Sequence, residues 1–209
     1  FASDGSYTIR KVTSANYNRG WSVEGGCENL YQIITGETTV GTYTIAQKPV
    51  IFIEDTVWVD GVVNGKVTLT AARFPIDVNN MNIWINGNLT YISKDGYSNL
   101  GLFAQNNIYY ARNIPTNFEI DAALLAQKGR IIRHHYYYGS CSSYSNAVRD
   151  KLTIYGSVIS NQKSYWNYGT GPSSGFRTRE VTYDPNLYFD PPPYFPNQGE
   201  YAFISWEER

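Results

Sequence analysis

The acidic residues with the spacing best suited to catalysis are Glu119 and Asp121. They lie two residues apart in an alternating segment, so a strand would place both carboxylates on one face, about 6–7 Å apart. Two carboxylates on one face could serve acid–base cleavage of a glycosidic bond. Acids on an exposed strand are more often simply solvated, and Glu54 and Asp55, which are adjacent, would diverge. The pair therefore predicts a solvated outer face, with an enzyme as the alternative.

Two histidines, His134 and His135, follow Arg133 and could support acid–base or metal chemistry. No third ligand follows at a recognisable metal-site spacing. The sequence also has no nucleophile elbow, phosphate loop, HExxH motif or paired-cysteine zinc spacing. We therefore expect surface histidines in a loop, no metal site, no cofactor and no enzymatic activity.

A third set of residues is suited to binding. Residues 101–180 carry nine basic and four acidic residues, a net charge of +5 in a chain of net charge −1. Aromatic residues lie among them, and nucleic-acid bases stack on aromatic rings while Lys and Arg bind phosphates. Sugars also stack on aromatic rings, and aromatic loops can simply pack on each other. The candidate ligand-binding residues are Arg130, Arg133, Tyr136, Tyr137, Tyr138, Arg149, Lys151, Tyr165, Trp166 and Tyr168.

The two cysteines, Cys27 and Cys141, leave two possibilities open. They are either free thiols or one disulfide that ties the early part of the chain to a late loop. A composition rich in Tyr, Asn, Ser and Gly is typical of surface proteins, and disulfides form in that oxidising setting. We treat the pair as a disulfide candidate.

The elements that would position these residues follow from a recurring pattern. An apolar-x-apolar-x-Gly-x-apolar frame starts at Val57, Ile83 and Leu152, and a second frame, LFAQNNIY then LLAQKGRI, starts at Leu102 and Leu124. Alternation with period two indicates strands. Two strand patterns recurring about every 20 residues are typical of stacked coils. We therefore predict an all-β fold, a right-handed parallel β-solenoid, with an antiparallel sandwich as the alternative.

The same frame predicts an aromatic ladder on its outer face. With the neighbouring Val and Ile side chains inward, Trp58, Trp84 and Tyr109 would point outward at matching positions on successive strands. Adjacent strands lie about 4.8 Å apart, so the rings would stack. Either the N-terminal segment or the C-terminal tail covers this ladder, or the ladder is a platform for a sugar or a base.

The chain is divided by composition into a few regions. Residues 1–49, with short alternations broken by Gly, predict an N-terminal β cap or leading strands. Residues 50–209 predict the solenoid, with a loop excursion at 133–150 and a C-terminal capping segment at 161–209. Pro191–Pro193 cannot donate backbone hydrogen bonds, so this run is not a central strand. It fits an aromatic, proline-rich lid over the last strand edges.

Size and charge limit the classes of protein. A chain of 209 residues with 17% charged residues predicts one domain with no general attraction to nucleic acid or to anionic membranes. No apolar run approaches the roughly 20 residues that cross a bilayer. Phe1 is not an ordinary first residue, so we expect a processed or truncated product.

Several stretches carry a resemblance to a known group of proteins. Over about residues 50–209 the chain resembles bacterial surface proteins associated with type IV pili. The stretches that carry this resemblance are VWVDGVVNGKVTL, NIWINGNLTY, GLFAQNNIYY, EIDAALLAQKGRI, RDKLTIYGSVISN and YDPNLY–PPPYFP. Those proteins carry a PilX-like or minor-pilin-like N-terminal helix followed by a β-solenoid. This chain departs from them because Phe1 is followed by Ala-Ser-Asp-Gly rather than by an apolar assembly helix.

The resemblance implies an extracellular or cell-surface location and partners among pilus or surface-filament subunits. We expect a non-enzymatic module with a structural or adhesive role, and glycan or DNA as the ligand. A DNA receptor at a pilus tip is the first alternative and a polysaccharide-acting β-helix enzyme the second. Parallel β-helices often host such enzymes, but a shared fold does not establish a shared activity.

Overall fold

The computed structural model describes residues 1–169 and 171–195, and these residues form mostly β-structure. The strands are β1 (Ser6–Ser22), β2 (Gly26–Thr44), β3 (Val50–Ile53), β4 (Val57–Val63), β5 (Lys66–Ala71), β6 (Ile83–Tyr91), β7 (Asn99–Ala104), β8 (Ile108–Tyr110), β9 (Asn117–Ala126), β10 (Ile131–Arg133), β11 (Tyr137–Tyr138), β12 (Ser142–Ser143), β13 (Val148–Ser160) and β14 (Gly175–Tyr183). A four-residue helix, α1 (Asn186–Phe189), follows β14.

The first 49 residues form one long antiparallel hairpin. β1 pairs with β2 from Ser6–Thr44 to Ser22–Gly26, with several register shifts on the way. The turn at 23–25 ends at Gly26, whose φ of +65° suits glycine. Most side chains of the middle of the hairpin are exposed on both faces, which explains the weak alternation of this segment.

The remaining long strands form one ten-stranded sheet whose pairings are parallel. Its order is β10-β8-β6-β9-β7-β5-β3, and β4 pairs with β6 while β13 pairs with both β9 and β14. Trp58 pairs with Trp84, and Trp84 with Tyr109, in parallel register. The small strands β11 and β12 make a separate antiparallel pair inside the 133–150 excursion.

The predicted right-handed parallel β-solenoid is wrong. The β-structure is divided between antiparallel and parallel sheets, and none of them closes or curls in the part of the chain that is described. The physical reason is that alternation with period two assigns side chains to faces but fixes neither the direction of pairing nor closure. The recurring sequence frame would align Gly61 with Gly87, but the strands do not pair in this way. Gly61 pairs with Leu89, and Gly87 lies in an irregularity of the pairing between β4 and β6.

The apolar core lies along the parallel sheet. Apolar columns run across successive strands, and Leu89, Ile120 and Ile154 are fully buried at matching positions. Tyr7 and Leu30 of the hairpin join the same core, so the hairpin packs on the sheet rather than standing apart from it.

Two links fix the turn end of the hairpin to the 133–150 excursion. Cys27 and Cys141 form a disulfide with Cα atoms 5.6 Å apart. Trp21 and His135 form an antiparallel bridge, in which the Trp21 N–H donates to the His135 carbonyl at 3.0 Å and the His135 N–H donates back at 2.8 Å. The excursion is therefore part of the interface with the hairpin.

The C-terminal segment packs over the strands β5 and β7. The Thr68 hydroxyl donates to the Pro193 carbonyl, the Asn99 amide donates to the Asp190 carbonyl at 2.7 Å, and Phe195 packs against Gly101. Of the predicted capping segment 161–209, residues 170 and 196–209 lie outside the described residues.

Removal of the disulfide should lower stability without changing the fold. Replacing both Cys27 and Cys141 by Ser removes a link across 114 residues of sequence, and a closed loop of this size contributes up to about 4–5 kcal/mol in the loop-entropy treatment. We expect a lower midpoint of guanidinium unfolding for the double variant. An unchanged midpoint would show that the hairpin is held by packing alone.

Gly156 should tolerate no side chain. Its φ is +153°, and a Cβ there would lie 1.9 Å from the Ala122 carbonyl oxygen. We expect Gly156→Ala to reduce the free energy of unfolding by at least about 1–3 kcal/mol. The matched control is Gly171→Ala, because a Cβ at Gly171 meets nothing within 4 Å. Equal urea midpoints for the two variants would contradict this prediction.

Candidate functional site

A polar cleft of about 420 Å³ lies between the turn of the hairpin and the sheet. We call it the tip cleft. Ser22, Glu24 and Glu28 of the hairpin form one wall, and the loops before β8 and around β10 form the other. Its lining residues from the sheet side are Asn106, Asn107, Tyr109, Arg130, Ile132, His134 and Gln162.

The deep part of the tip cleft contains a carboxylate held between a hydroxyl and a histidine. The Ser22 hydroxyl donates to Glu28 Oε2 at 2.7 Å, and His134 Nε2 lies 3.4 Å from the same oxygen. The hydrogen bond with His134 lowers the pKa of Glu28 below its ordinary value of 4.5. In a Ser-His-Asp triad the histidine lies between the hydroxyl and the acid. Here the acid is in the middle, so the arrangement does not activate Ser22.

The mouth of the tip cleft carries a second set of paired charges. Arg130 forms an ion pair with Glu24 and a hydrogen bond with the Gln162 side chain. The Tyr165 hydroxyl donates to the other Glu24 oxygen at 2.8 Å. Burial, followed by this hydrogen bond to Glu24, raises the pKa of Tyr165 to about 12. The charges at the mouth are therefore largely neutralised by each other.

The floor of the cleft is made of amides beside an aromatic ring. Asn107 donates to the Tyr109 hydroxyl at 2.8 Å and accepts from the Arg130 backbone N–H at 2.9 Å. Burial raises the pKa of Tyr109 to about 12, with the Glu28 charge adding to this effect. The two amides, Asn106 and Asn107, belong to the AQNN part of the second sequence frame and lie directly before β8.

The aromatic ladder does not form an open platform. Trp84 is only 6% exposed and stacks on Tyr109 with ring centroids 4.5 Å apart. His134 lies over both rings, at 6.1 Å from Trp84 and 5.2 Å from Tyr109. Gly20 of the hairpin packs so closely on His134 that a Cβ would lie 2.9 Å from it. The N-terminal hairpin therefore covers this part of the ladder, and Tyr109 reaches the tip cleft at its edge.

Trp58 lies at the far end of the ladder and belongs to a different cleft. This cleft, which we call the base cleft, has a volume of about 920 Å³ between the first half of the hairpin and strands β3 and β4. Trp58 is half-buried, and its indole N–H has no hydrogen-bond partner within the described residues.

Several predicted ligand-binding residues are buried instead. Arg133 is fully buried, and its guanidinium donates to the backbone carbonyls of Ala111 and Arg112 and lies 4.9 Å from the buried Tyr136 ring. Burial lowers the pKa of Arg133 to about 10. The histidines are also buried rather than on the surface, His134 at 1% and His135 at 6% exposure.

The other predicted binding residues fall into two places. Near the hairpin turn, Tyr138 stacks on Trp21 at 4.4 Å, Tyr168 contacts His135 in a tilted arrangement with ring centroids 4.3 Å apart, and Tyr137 is exposed. Elsewhere, the Arg149 side chain donates to the Arg112 carbonyl at 2.8 Å and Lys151 pairs with Glu180 at 2.7 Å.

Trp166 donates to the Ile131 carbonyl at 2.9 Å. The ten residues therefore do not form one surface, and only Arg130 lines the tip cleft while Tyr165 contacts its rim.

The predicted carboxylate pair is bound by one lysine. Lys94 Nζ lies 2.9 Å from an oxygen of Glu119 and 2.9 Å from an oxygen of Asp121. Asp121 is buried rather than solvated, and its other oxygen accepts from the Tyr91 N–H at 2.9 Å. Burial raises the pKa of Asp121. The pair is a structural ion cluster on β9.

The sequence reasoning missed the hairpin's share of the tip cleft. Ser22, Glu24 and Glu28 surround the Gly25–Gly26 turn, and this turn was the available signal for a hairpin whose end presents acids. No sequence pattern predicts that these acids contact residues about 100 positions later in the chain.

The described residues contain no helix long and apolar enough to cross a membrane. They also contain no group of three or more His, Cys, Asp or Glu residues that could hold a metal ion. Comparison with known proteins found no matching family, no matching curated protein and no matching solved structure. The resemblance to type IV pilus-associated proteins therefore stays a prediction.

The Glu28–His134 contact predicts an acid-sensitive stability. The pKa of Glu28 is lowered in the folded state, so the ionised carboxylate stabilises the fold. This stabilisation is fully present above pH 4.5 and is lost as the pH falls through the pKa of Glu28 in the folded protein. When the pH is lowered from neutral to below 4.5, the free energy of unfolding should therefore fall less for Glu28→Gln than for the wild type.

The matched control is Glu180→Gln, where the pKa of the carboxylate is lowered by Lys151. This pair is exposed and screened by solvent, so its removal should change the pH dependence less. The measurement is urea unfolding at each pH. An equal effect of the two substitutions would contradict the prediction for Glu28.

Proposed function

We propose that this chain is a non-enzymatic module of an exported bacterial surface or pilus-associated protein, and that its tip cleft binds a carbohydrate in an adhesive role. The observation that carries the proposal is the composition of the cleft. Its walls present carboxylates, amides and a guanidinium around the edge of one aromatic ring. Sugar hydroxyl groups both donate and accept hydrogen bonds, so they match this mixture of acceptors and donors.

The pairing of charges in the cleft favours a neutral ligand. Glu24 is paired with Arg130, and Glu28 accepts a hydrogen bond from Ser22 and contacts His134, so each of these carboxylates already has a partner within the chain. The cleft is also supported on both sides, since the Cys27–Cys141 disulfide and the Trp21–His135 bridge hold the hairpin turn in place. A held cleft loses less conformational freedom when a ligand binds.

The exported setting is supported by the disulfide. Disulfides persist in extracellular and periplasmic environments and are rare in the cytosol. Cys27 lies at the exposed start of β2, where a reducing compartment would have access to the bond. A location at the cell surface is consistent with this chemistry and with the sequence resemblance.

The DNA-receptor alternative has less support. DNA binding needs several cations free to contact phosphates. Of the basic residues expected to do this, Arg133 is buried, Arg130 and Lys151 are paired with acids, and Arg149 donates to a backbone carbonyl. The enzyme alternative loses the carboxylate pair that suggested it, because Glu119 and Asp121 on β9 are both bound by Lys94.

Substitutions at the mouth of the tip cleft should weaken glycan binding. Glu24→Ala and Gln162→Ala remove exposed side chains, so the fold should be kept. Each should weaken binding to the best glycan of a panel by about tenfold, the effect of losing one hydrogen bond of about 1.4 kcal/mol. The measurement is retention on immobilised neutral and acidic glycans, with circular dichroism as the check of folding.

The matched control is Glu180→Ala, which removes an exposed acid on β14 and should leave retention unchanged. Single-stranded and duplex DNA are tested in parallel. Retention by DNA that falls steeply with salt and survives Glu24→Ala would favour the DNA receptor instead. Glycan retention that neither cleft substitution changes would place the binding site elsewhere.

A further inference from the structure

Five strands form a continuous parallel ladder with an open edge at each end. The ladder runs from β3 through β5, β7 and β9 to the last four residues of β13. Val50–Ile53 pairs only with β5, and Ser157–Ser160 pairs only with β9, within the described residues. Both open edges are four residues long, and they occupy the same four columns of the ladder.

The side chains in these columns match from one end to the other. The inner column contains Ile51, Leu69, Leu102, Leu124 and Val158, in strand order. The neighbouring column begins at Phe52 and ends at Ile159. Phe52 is 49% exposed and Ile159 is 48% exposed, so a large apolar side chain is left uncovered at each end of one column.

The backbone groups at the two edges are complementary. In a parallel ladder, alternate residues direct both their N–H and C=O groups to the same side. Thr68 and Ala72 donate to the carbonyls of Pro49 and Ile53, so Val50 and Phe52 direct their groups away from β5. At the other end Asn161 donates to Ala126, so Val158 and Ser160 direct theirs away from β9. If the β3 edge of a second copy were placed beside this edge of β13, the N–H of Val158 would face the C=O of the second copy's Val50.

The charges beyond the two edges are also complementary. Glu54 and Asp55 follow β3 directly, and neither carboxylate has an ion pair within residues 1–169 and 171–195. Lys163 follows the open part of β13 after two residues and is likewise without an ion pair there. Stacking Ile53 on Ser160 would bring these opposite charges to the same end of the joined strands.

We propose that copies of this chain associate head to tail, with Val50–Ile53 of one copy paired in parallel on Ser157–Ser160 of the next. Open strand edges readily pair with other chains, and protection of such an edge usually relies on charges or proline within the strand. Neither four-residue edge carries a charge or a proline. The two surfaces differ, so the contact is heterologous and generates a linear array rather than a closed dimer.

Lysine substitutions at either end test this contact. Phe52→Lys and Ile159→Lys each place a charge on one open edge, and both positions are half exposed, so the fold should be kept. We expect the full chain to self-associate with rising concentration in sedimentation velocity. Each substitution should raise the Kd of association by about tenfold or more. Val78→Lys, which removes an exposed apolar side chain in a loop, should leave association unchanged.

Mixing the two variants separates this arrangement from other contacts. Phe52→Lys keeps its β13 edge and Ile159→Lys keeps its β3 edge, so an equimolar mixture should form a dimer that grows no further. A mixture that associates no better than either variant alone would overturn the proposal. A full chain that stays monomeric up to its solubility limit would also overturn it.

Truncation after Phe195 distinguishes a second copy from the chain's own end. We expect the truncated chain to associate as the full chain does. If only the truncated chain associates, residues 196–209 occupy the edge and the proposal is wrong. Glycan retention by monomeric Phe52→Lys should equal that of the wild type, so failure of this proposal and failure of the tip-cleft proposal give different results.

Discussion

The structure depends on the docking of the hairpin onto the parallel sheet. An isolated two-stranded ribbon is at best marginally stable in water, and the middle of this one is exposed on both faces. Its stability must come from its two ends. Tyr7 and Leu30 enter the core, and the Trp21–His135 bridge and the Cys27–Cys141 disulfide fix the turn. The same docking buries His134, closes one end of the aromatic ladder and builds one wall of the tip cleft.

The burial of Arg133 helps explain why the predicted ligand-binding residues do not form one surface. A buried guanidinium is tolerated only when its donors find acceptors. Here the acceptors are carbonyls of Ala111, Arg112 and Ala147, and the ring centroids of Tyr136 and Phe176 lie 4.9 and 5.6 Å from the guanidinium. The excursion is thereby folded around the arginine: Tyr136 packs inward, Tyr138 and Tyr144 contact the hairpin, and Tyr137 stays exposed. The Arg- and Tyr-rich segment of this chain therefore forms a contact between the 133–150 excursion and the hairpin.

Part of this arrangement could be predicted from the sequence, and part could not. The alternation around Val57, Ile83 and Ile108 assigns Trp58, Trp84 and Tyr109 to one face, because side chains in strands alternate. The same alternation carries no information on which strand pairs with which, and the curled form expected from it is wrong. The hairpin was hidden because its exposed middle lacks an apolar face. The tip cleft joins residues 22–28 to residues between 106 and 162, and no local pattern encodes a contact across that separation.

The distribution of charge also separates the two ends of the molecule. At the tip cleft Glu24 is paired with Arg130, and Glu28 accepts a hydrogen bond from Ser22 and contacts His134, so the selectivity proposed for this cleft rests on hydrogen bonds and shape. At the open edges Glu54, Asp55 and Lys163 have no ion-pair partner within the described residues, and their opposite signs lie at opposite ends of one ladder. Unpaired charges cost little in water but orient an approaching surface. The proposed ligand site is therefore formed by groups that already have partners within the chain, whereas the proposed association edges keep charges that could orient a second copy.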